Sequence, residues 1–333
     1  MNLINTIGRP LRIFTWQVHG AYLYYLSACP CTIYIPINLK RSEGYYGKGV
    51  NFPFGSNVIE VKAEDVSSME FDIIIFQSNR NFLADQFEIL SAQQRMLPKI
   101  YIEHNAPDPL PVNSVHVMKN PEVVLVHVTH YNRMMWDNQA RSIKVIEHGI
   151  PSSETAYSGS VAKGLVICNH LLQRGRIVGA DIFREVAKEI PLDFMGMGSA
   201  ESGGLGEIKH SELPAFVSRY RFVFNPVRHG SLDLSVLEAM SFGVPVVSMA
   251  TTEYVTVFRN GENGFLDTNP DKLTDYMKLL LNDLQLARNL GRKGRQTVGG
   301  RFSLERFTND WMKLFHSIMH GVKRADYEKD FVY

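Results

Sequence analysis

The chain is poor in cysteine, balanced in charge and without a long apolar run, and each shortage removes a class of function. Its three cysteines, Cys29, Cys31 and Cys168, are too few for a disulfide framework, and Cys29 and Cys31, split by Pro30, lack the second half of a zinc site. A reducing cytoplasm suits that content. Lysine and arginine total 35 against 34 aspartates and glutamates, so no overall field favours nucleic acid, and any anion must be held by local groups. The longest apolar stretches, such as Phe71 to Phe76, are strand-sized, far below the ~20 residues that cross a bilayer. The first ten residues carry no signal core. The aromatic and basic stretch from Tyr22 to Lys48 still allows peripheral contact with the inner face of a membrane. There is no P-loop and no Gly-x-Ser-x-Gly elbow, which argues against kinase and hydrolase chemistry. His127, His130 and His148 have no His-Glu-x-x-His helix or nearby third ligand, so the expectation is no metal.

What is present suits an ordinary globular protein. At 333 residues, with 45% apolar and 21% charged residues, the chain can bury two cores. Short β-branched and aromatic runs alternate with helical stretches, the pattern of parallel sheets covered by helices. Seven such runs fall in the first half: Leu11 to Trp16, Thr32 to Ile37, Asn57 to Val61, Asp72 to Phe76, Lys99 to Glu103, Val123 to Val128 and Ile143 to Glu147. Five fall in the second: Gly164 to Cys168, Leu192 to Met195, Arg221 to Phe224, Pro245 to Met249 and Gly264 to Leu266. The polar, Gly- and Pro-containing segment from Gly149 to Lys163 reads as the linker. The expectation is an α/β protein of two Rossmann-like domains, residues 1–155 and 156–320, with a charged tail at 321–333. Ligands of such sheets lie beyond the carboxyl ends of the strands, so the substrates belong in a cleft across which the domains face each other.

The most informative stretch is RFVFNPVRHGSLDLSVLEAMSFGVPVVSM, from Arg221 to Met249. Pro226 stops a strand, and Gly230 with Ser231 can start a helix whose exposed N–H groups suit phosphate. Glu238 is a lone carboxylate among apolar neighbours and needs donors. Ribose hydroxyls would supply them, and so would a nearby backbone or arginine. Earlier, GLVICNHLLQRGRIVGAD places Arg174 and Arg176 in a loop after a strand, where paired guanidinium groups suit a diphosphate. A solvated basic loop fits the same residues. In YIEHNAP, His104 follows a strand at the end where ligands bind. TWQVHGAYLYYL puts His19 and Gly20 at the first strand-to-helix turn, where a glycine allows substrate to approach the backbone closely.

NPVRHGSLDLSVLEAMSFGVPVVS followed by VFRNGENGFL resembles the donor-site signature of the GT-B retaining glycosyltransferases of family four. In that family two glutamates spaced Glu-x7-Glu contact the donor. The second matches Glu238, which the resemblance assigns to the ribose. The first falls on Gly230, so the carboxylate beside the sugar is missing; Asp233 or His229 can stand in, or the amides of Gly230, Ser231 and Leu232 hold sugar and diphosphate. The family's Gly-Arg and Lys-Gly pairs align with Asn169–His170 and Arg174–Gly175. This implies that Arg174 is the phosphate cation, with Arg176 a substitute for the arginine replaced by His170. The GEI-like turn implies that Ile208 and Lys209 meet the nucleobase, and His104 matches the family's cleft histidine. Arg174, His104 and Glu238 are the expected catalytic set, with His19 and Gly20 on the acceptor side.

The reaction so implied moves a sugar with retention from a nucleotide diphosphate sugar to a glycan or lipid-linked acceptor, as in polysaccharide or cell-envelope synthesis. No cofactor or metal is required, because arginine supplies the positive charge. Two alternatives stand beside it: an inverting GT-B transferase or epimerase, and a degenerate partner subunit that binds nucleotide or glycan without turnover.

Overall fold

The computed structural model describes residues 8–139 and 142–320. They form two compact units. One comprises the described residues of Met1–Glu147 and Glu305–Tyr333, the other His148–Leu304.

The first unit holds β1 (Leu11–Thr15), β2 (Cys31–Ile37), β3 (Val58–Lys62), β4 (Ile73–Phe76), β5 (Lys99–Glu103), β6 (Val123–His127) and β7 (Ser142–Val145). All pair in parallel, in the order β3-β2-β1-β4-β5-β6-β7. Strands β4, β5 and β6 are buried along their whole length. A parallel strand covered on both faces has no polar side, and this produces uninterrupted runs such as IIIF and VVLVH. The core of one face is aromatic: Phe14, Trp16, Phe71, Phe76 and Tyr101 pack together. The order reverses between β1 and β4, which makes the carboxyl ends there a switch point where ligands of such sheets bind.

The second unit holds β8 (Val161–Ile167), β9 (Leu192–Met195), β10 (Tyr220–Asn225), β11 (Val246–Met249) and β12 (Phe265–Asp267). These are also parallel, ordered β12-β11-β10-β8-β9. Here the switch lies between β8 and β10, with Val223 opposite Leu165. The loops leaving these two strands carry most of the residues singled out above.

The domain boundary differs from the expected one. It lies at 147/148 rather than 155/156, and the last helix, Leu304–Met319, joins the first unit from Glu305 on, so the second unit does not extend to residue 320. The reason is the apolar stripe of that helix. Phe307 and Trp311 are fully buried, and both meet Tyr22 edge-on, with ring centroids 5.6 and 6.5 Å apart. Arg306 donates to the Glu147 carbonyl at 3.0 Å. Trp311→Ala is therefore expected to destabilise the first unit, not the second, by about 3–5 kcal/mol, as urea unfolding followed by hydrogen exchange in each unit would show. The tail at 321–333 lies outside the described residues. Among the described residues, no helix is long and apolar enough to cross a membrane.

Candidate active site

The second unit assembles its site from two neighbouring loops. After β8 the chain turns at His170, in the left-handed region at φ 55°, and runs through the short helix Leu171–Arg174 into the 3-10 turn Gly175–Val178. After β10 it passes Pro226 and reaches the helix Leu234–Ser241. One carbonyl joins the loops: Ile177 O accepts from the backbone N–H of both Arg228 and His229 at 3.0 Å. Gly179 lets them approach, since at φ +76° an added Cβ would lie 1.9 Å from the Pro226 oxygen.

Arg174 is exposed at this junction, and its charge reaches both Asp233 and Cys168. Burial pushes the Cys168 thiol up to about 12, so it stays protonated and unreactive near neutral pH. Arg176 is engaged elsewhere. It pairs with Asp181 at 2.7 Å, and Arg228 holds the same carboxylate with two N–H groups at 2.9 and 3.0 Å. The Arg228 guanidinium, foremost, brings Asp181 down to about 2. Arg176 is thus committed to an exposed ion pair, whereas the charge of Arg174 is directed at the Asp233 loop.

The helix does not start where the sequence suggested. It begins at Leu234, beyond Gly230 and Ser231, and Asp233 at its N-cap makes no side-chain cap. Asp233 instead accepts the Tyr254 hydroxyl proton, while its own amide donates to that hydroxyl at 3.2 Å. Burial raises the Asp233 carboxyl, against the Tyr254 bond and the Arg174 charge. An acid so anchored ties the loop to Tyr254. The backbone does not demand glycine at 230: its φ is not left-handed, and an added Cβ would meet Val227 Cγ1 at 3.2 Å. Leu232 is buried, and its carbonyl accepts from His148 Nε2 at 2.9 Å. Ser231 and His229 are half-buried beside it.

Glu238 is 6% exposed, and its Oε1 accepts from His210 Nε2 at 3.0 Å. His210 stands next to Lys209 in the loop after the glycine-rich turn, so this bond ties that loop to the helix that carries Glu238. That turn also fits His170: its amide donates to Met197 O at 2.7 Å, and Gly198 has no side chain where the imidazole lies, only 2.6 Å from an added Cβ. His170, Arg174 and Gly230 to Asp233 thus lie on the two joined stretches that follow β8 and β10, and Glu238 lies in the helix that the second of them enters. His210, Tyr254 and His148 were not anticipated. Nothing local distinguishes them, because each acts through a partner distant in sequence.

In the first unit, His19 and His104 meet. Their rings lie 3.9 Å apart, and Tyr22 closes on His104 edge-on at 4.6 Å. Both follow strand ends near the β1/β4 switch. Burial lowers His19 to about 4, so it is neutral at neutral pH. Gly20 has an intramolecular cause: an added Cβ would lie 2.5 Å from the Phe52 ring. His127, in β6, is fully buried 2.7 Å from Asn138 Oδ1 and is likewise lowered to about 4 by burial. Its folded value lies below the unfolded one of about 6.5, so the unfolded chain binds the extra proton between them. Stability is expected to be full above pH 6.5 and to fall toward pH 4. A urea midpoint that stayed flat across that window, or a slope unchanged in His127→Gln, would contradict this.

With this geometry in view, the chain can be set beside known proteins. Residues 174–313 match the family described as glycosyl transferase-like. Two curated relatives match over short stretches: the N-acetyl-alpha-D-glucosaminyl L-malate synthase of Bacillus anthracis, 28% identical over 97 residues, and the capsular polysaccharide biosynthesis glycosyltransferase CapM of Staphylococcus aureus, 29% identical over 118. These matches cover 28% and 34% of the chain and span only 26% and 30% of the relatives' lengths. Among solved structures, the sucrose-phosphate synthase of Thermosynechococcus elongatus superposes with a TM-score of 0.72 at 14% identity, over 94% of this chain and all of that one. The fold is GT-B. HepE of Anabaena, solved in complex with UDP and glucose, agrees at a TM-score of 0.69 and 13% identity, covering 93% of this chain and 100% of its own. In GT-B terms, the matched region begins at Arg174 and contains both the Gly230–Asp233 loop and Glu238.

Proposed function

We infer that the protein is a glycosyltransferase that moves a sugar, with retention, from a nucleotide diphosphate sugar to an acceptor hydroxyl in glycan or cell-envelope synthesis. The observation that carries this reading is the tie from Ile177 O to the Arg228 and His229 amides. It brings the Arg174 loop and the entry of the Leu234–Ser241 helix to one sheet edge at the switch point. CapM's name favours glycosyl transfer in polysaccharide synthesis, and HepE's UDP complex favours the donor class.

In this reading the bond between C1 of the sugar and the phosphate oxygen breaks as the acceptor oxygen bonds to C1 on the same face. The acceptor proton passes to the leaving phosphate, and the nucleoside diphosphate departs. Arg174, with the Gly230 to Leu232 amides, balances the charge growing on that phosphate; Glu238 accepts from the ribose, and Ile208 and Lys209 border the base. His104, with His19 against it, borders the sugar and acceptor. No resident cofactor is needed.

The test is turnover of purified protein with a panel of nucleotide sugars and glycan or lipid-linked acceptors, followed by NMR of the product anomer. Nucleotide release with retained configuration is expected. An inverted product would refute retention. Thermal stabilisation by the nucleotide without release would favour the binding-subunit reading, which the glycine at position 230 motivates.

A further inference from the structure

The first unit contains a cavity that none of these roles uses. It has a volume of about 240 Å³ and lies beyond the carboxyl ends of β4 and β5, lined among others by Asn79, Glu103, Asp108, Ser114, His116 and Trp136. Successive residues of a strand face opposite ways, and Glu103 points here while His104 meets His19 and Tyr22.

The polar groups of the cavity are fixed in orientation. His116 is fully buried. Its Nδ1 accepts from the Met118 amide at 2.9 Å, so the proton sits on Nε2 and is donated to Glu103 Oε2 at 3.1 Å. The other Glu103 oxygen accepts from Asn105 N at 2.8 Å. Each carboxylate oxygen keeps a lone pair for a hydroxyl donor. The Tyr101 hydroxyl donates to Asn79 Oδ1 at 2.7 Å, which turns the Asn79 amide so that its NH2 remains to donate. Ser114 Oγ accepts from Leu110 N at 3.2 Å and keeps its proton for a ligand. Trp136 is pinned by its N–H to Asn105 O at 2.9 Å, and its ring stands edge-on to His116.

These features select the ligand. Among the described residues no lysine or arginine lines the cavity, so an anion finds no countercharge there. A metal ion is disfavoured because both His116 nitrogens are engaged and, among the described residues, no three metal-ligating side chains come together. Carboxylate acceptors, amide and hydroxyl donors and an indole in the lining together match an uncharged ring bearing both hydroxyls and apolar C–H groups. The volume, below the ~300 Å³ where pockets for drug-sized molecules begin, admits one ring. We propose that this cavity binds a neutral sugar residue, and that it holds a non-reacting ring of a glycan acceptor. The acceptor role rests on the transferase reading; the ligand class rests on the cavity alone.

The test is saturation-transfer NMR and tryptophan fluorescence on the full chain, titrated with methyl glycosides of glucose, galactose, mannose and N-acetylglucosamine, with glucuronate and inorganic phosphate alongside. At least one neutral glycoside is expected to bind in preference to both anions. Asp108→Ala and Trp136→Leu should each weaken it about tenfold while UDP affinity stays unchanged. Asp108 is exposed, so its removal tests the site even where loss of Trp136 unsettles the fold. No neutral binding, a preference for an anion, or wild-type affinity in the Asp108 variant would overturn the proposal. Failure of UDP to bind the wild-type chain would sink the donor reading alone, since no residue of this cavity lies in the second unit.

Discussion

Glu238→Ala is expected to weaken binding of nucleoside diphosphate about ten- to a hundred-fold. Hydrogen bonds to a charged group contribute about 1.5–3 kcal/mol, and this acid sits 6% exposed on a helix whose entry loop adjoins the proposed phosphate site. The substitution also strips His210 of its 3.0 Å acceptor, so part of the change could come from a displaced 207–210 loop. Two further variants separate the causes. His210→Ala leaves the acid in place and should cost less affinity than Glu238→Ala, while Glu238→Gln keeps an oxygen for His210 but loses the charge that strengthens bonds from ribose hydroxyls. Calorimetry with UDP or GDP would read all three. Wild-type affinity in Glu238→Ala would remove the ribose assignment.

The second large effect belongs to Arg174. If its guanidinium balances charge that develops only as the glycosidic bond breaks, Arg174→Ala should lower kcat by about 10²–10³-fold while nucleotide affinity changes much less. That split between turnover and binding is what a group acting in the transition state produces. Arg176→Ala should have a small effect on both, because Arg176 already spends its charge on Asp181. Equal losses in the two variants, or a loss of affinity without loss of kcat in Arg174→Ala, would contradict the roles assigned.

The architecture was legible because parallel strands buried on both faces leave a dense signal. IIIF, KIYIE and VVLVH can hardly be anything else, and all twelve expected runs overlap observed strands. The candidate site residues stood out for another reason: Arg174, Gly230 and Glu238 lie within contiguous motifs whose spacing is itself the information. Bonds that cross the sequence were not. His210 meets Glu238 across 28 positions and His148 meets Leu232 across 84; no local pattern encodes such partnerships. The later helix start has a similar origin, since Asp233 is drawn to Tyr254, a residue 21 positions on, and so does not cap. The last helix was assigned to the wrong unit because an apolar stripe states that a face is buried and not against what.

The path of that helix constrains biosynthesis. The first unit's sheet is complete by Val145, yet the side chains that seal Tyr22 arrive only with residues 305–319, after the entire second unit has been translated. On a ribosome adding about 5–20 residues per second, the half made first waits many seconds with an aromatic surface uncovered, and it is the half made second that can finish folding first.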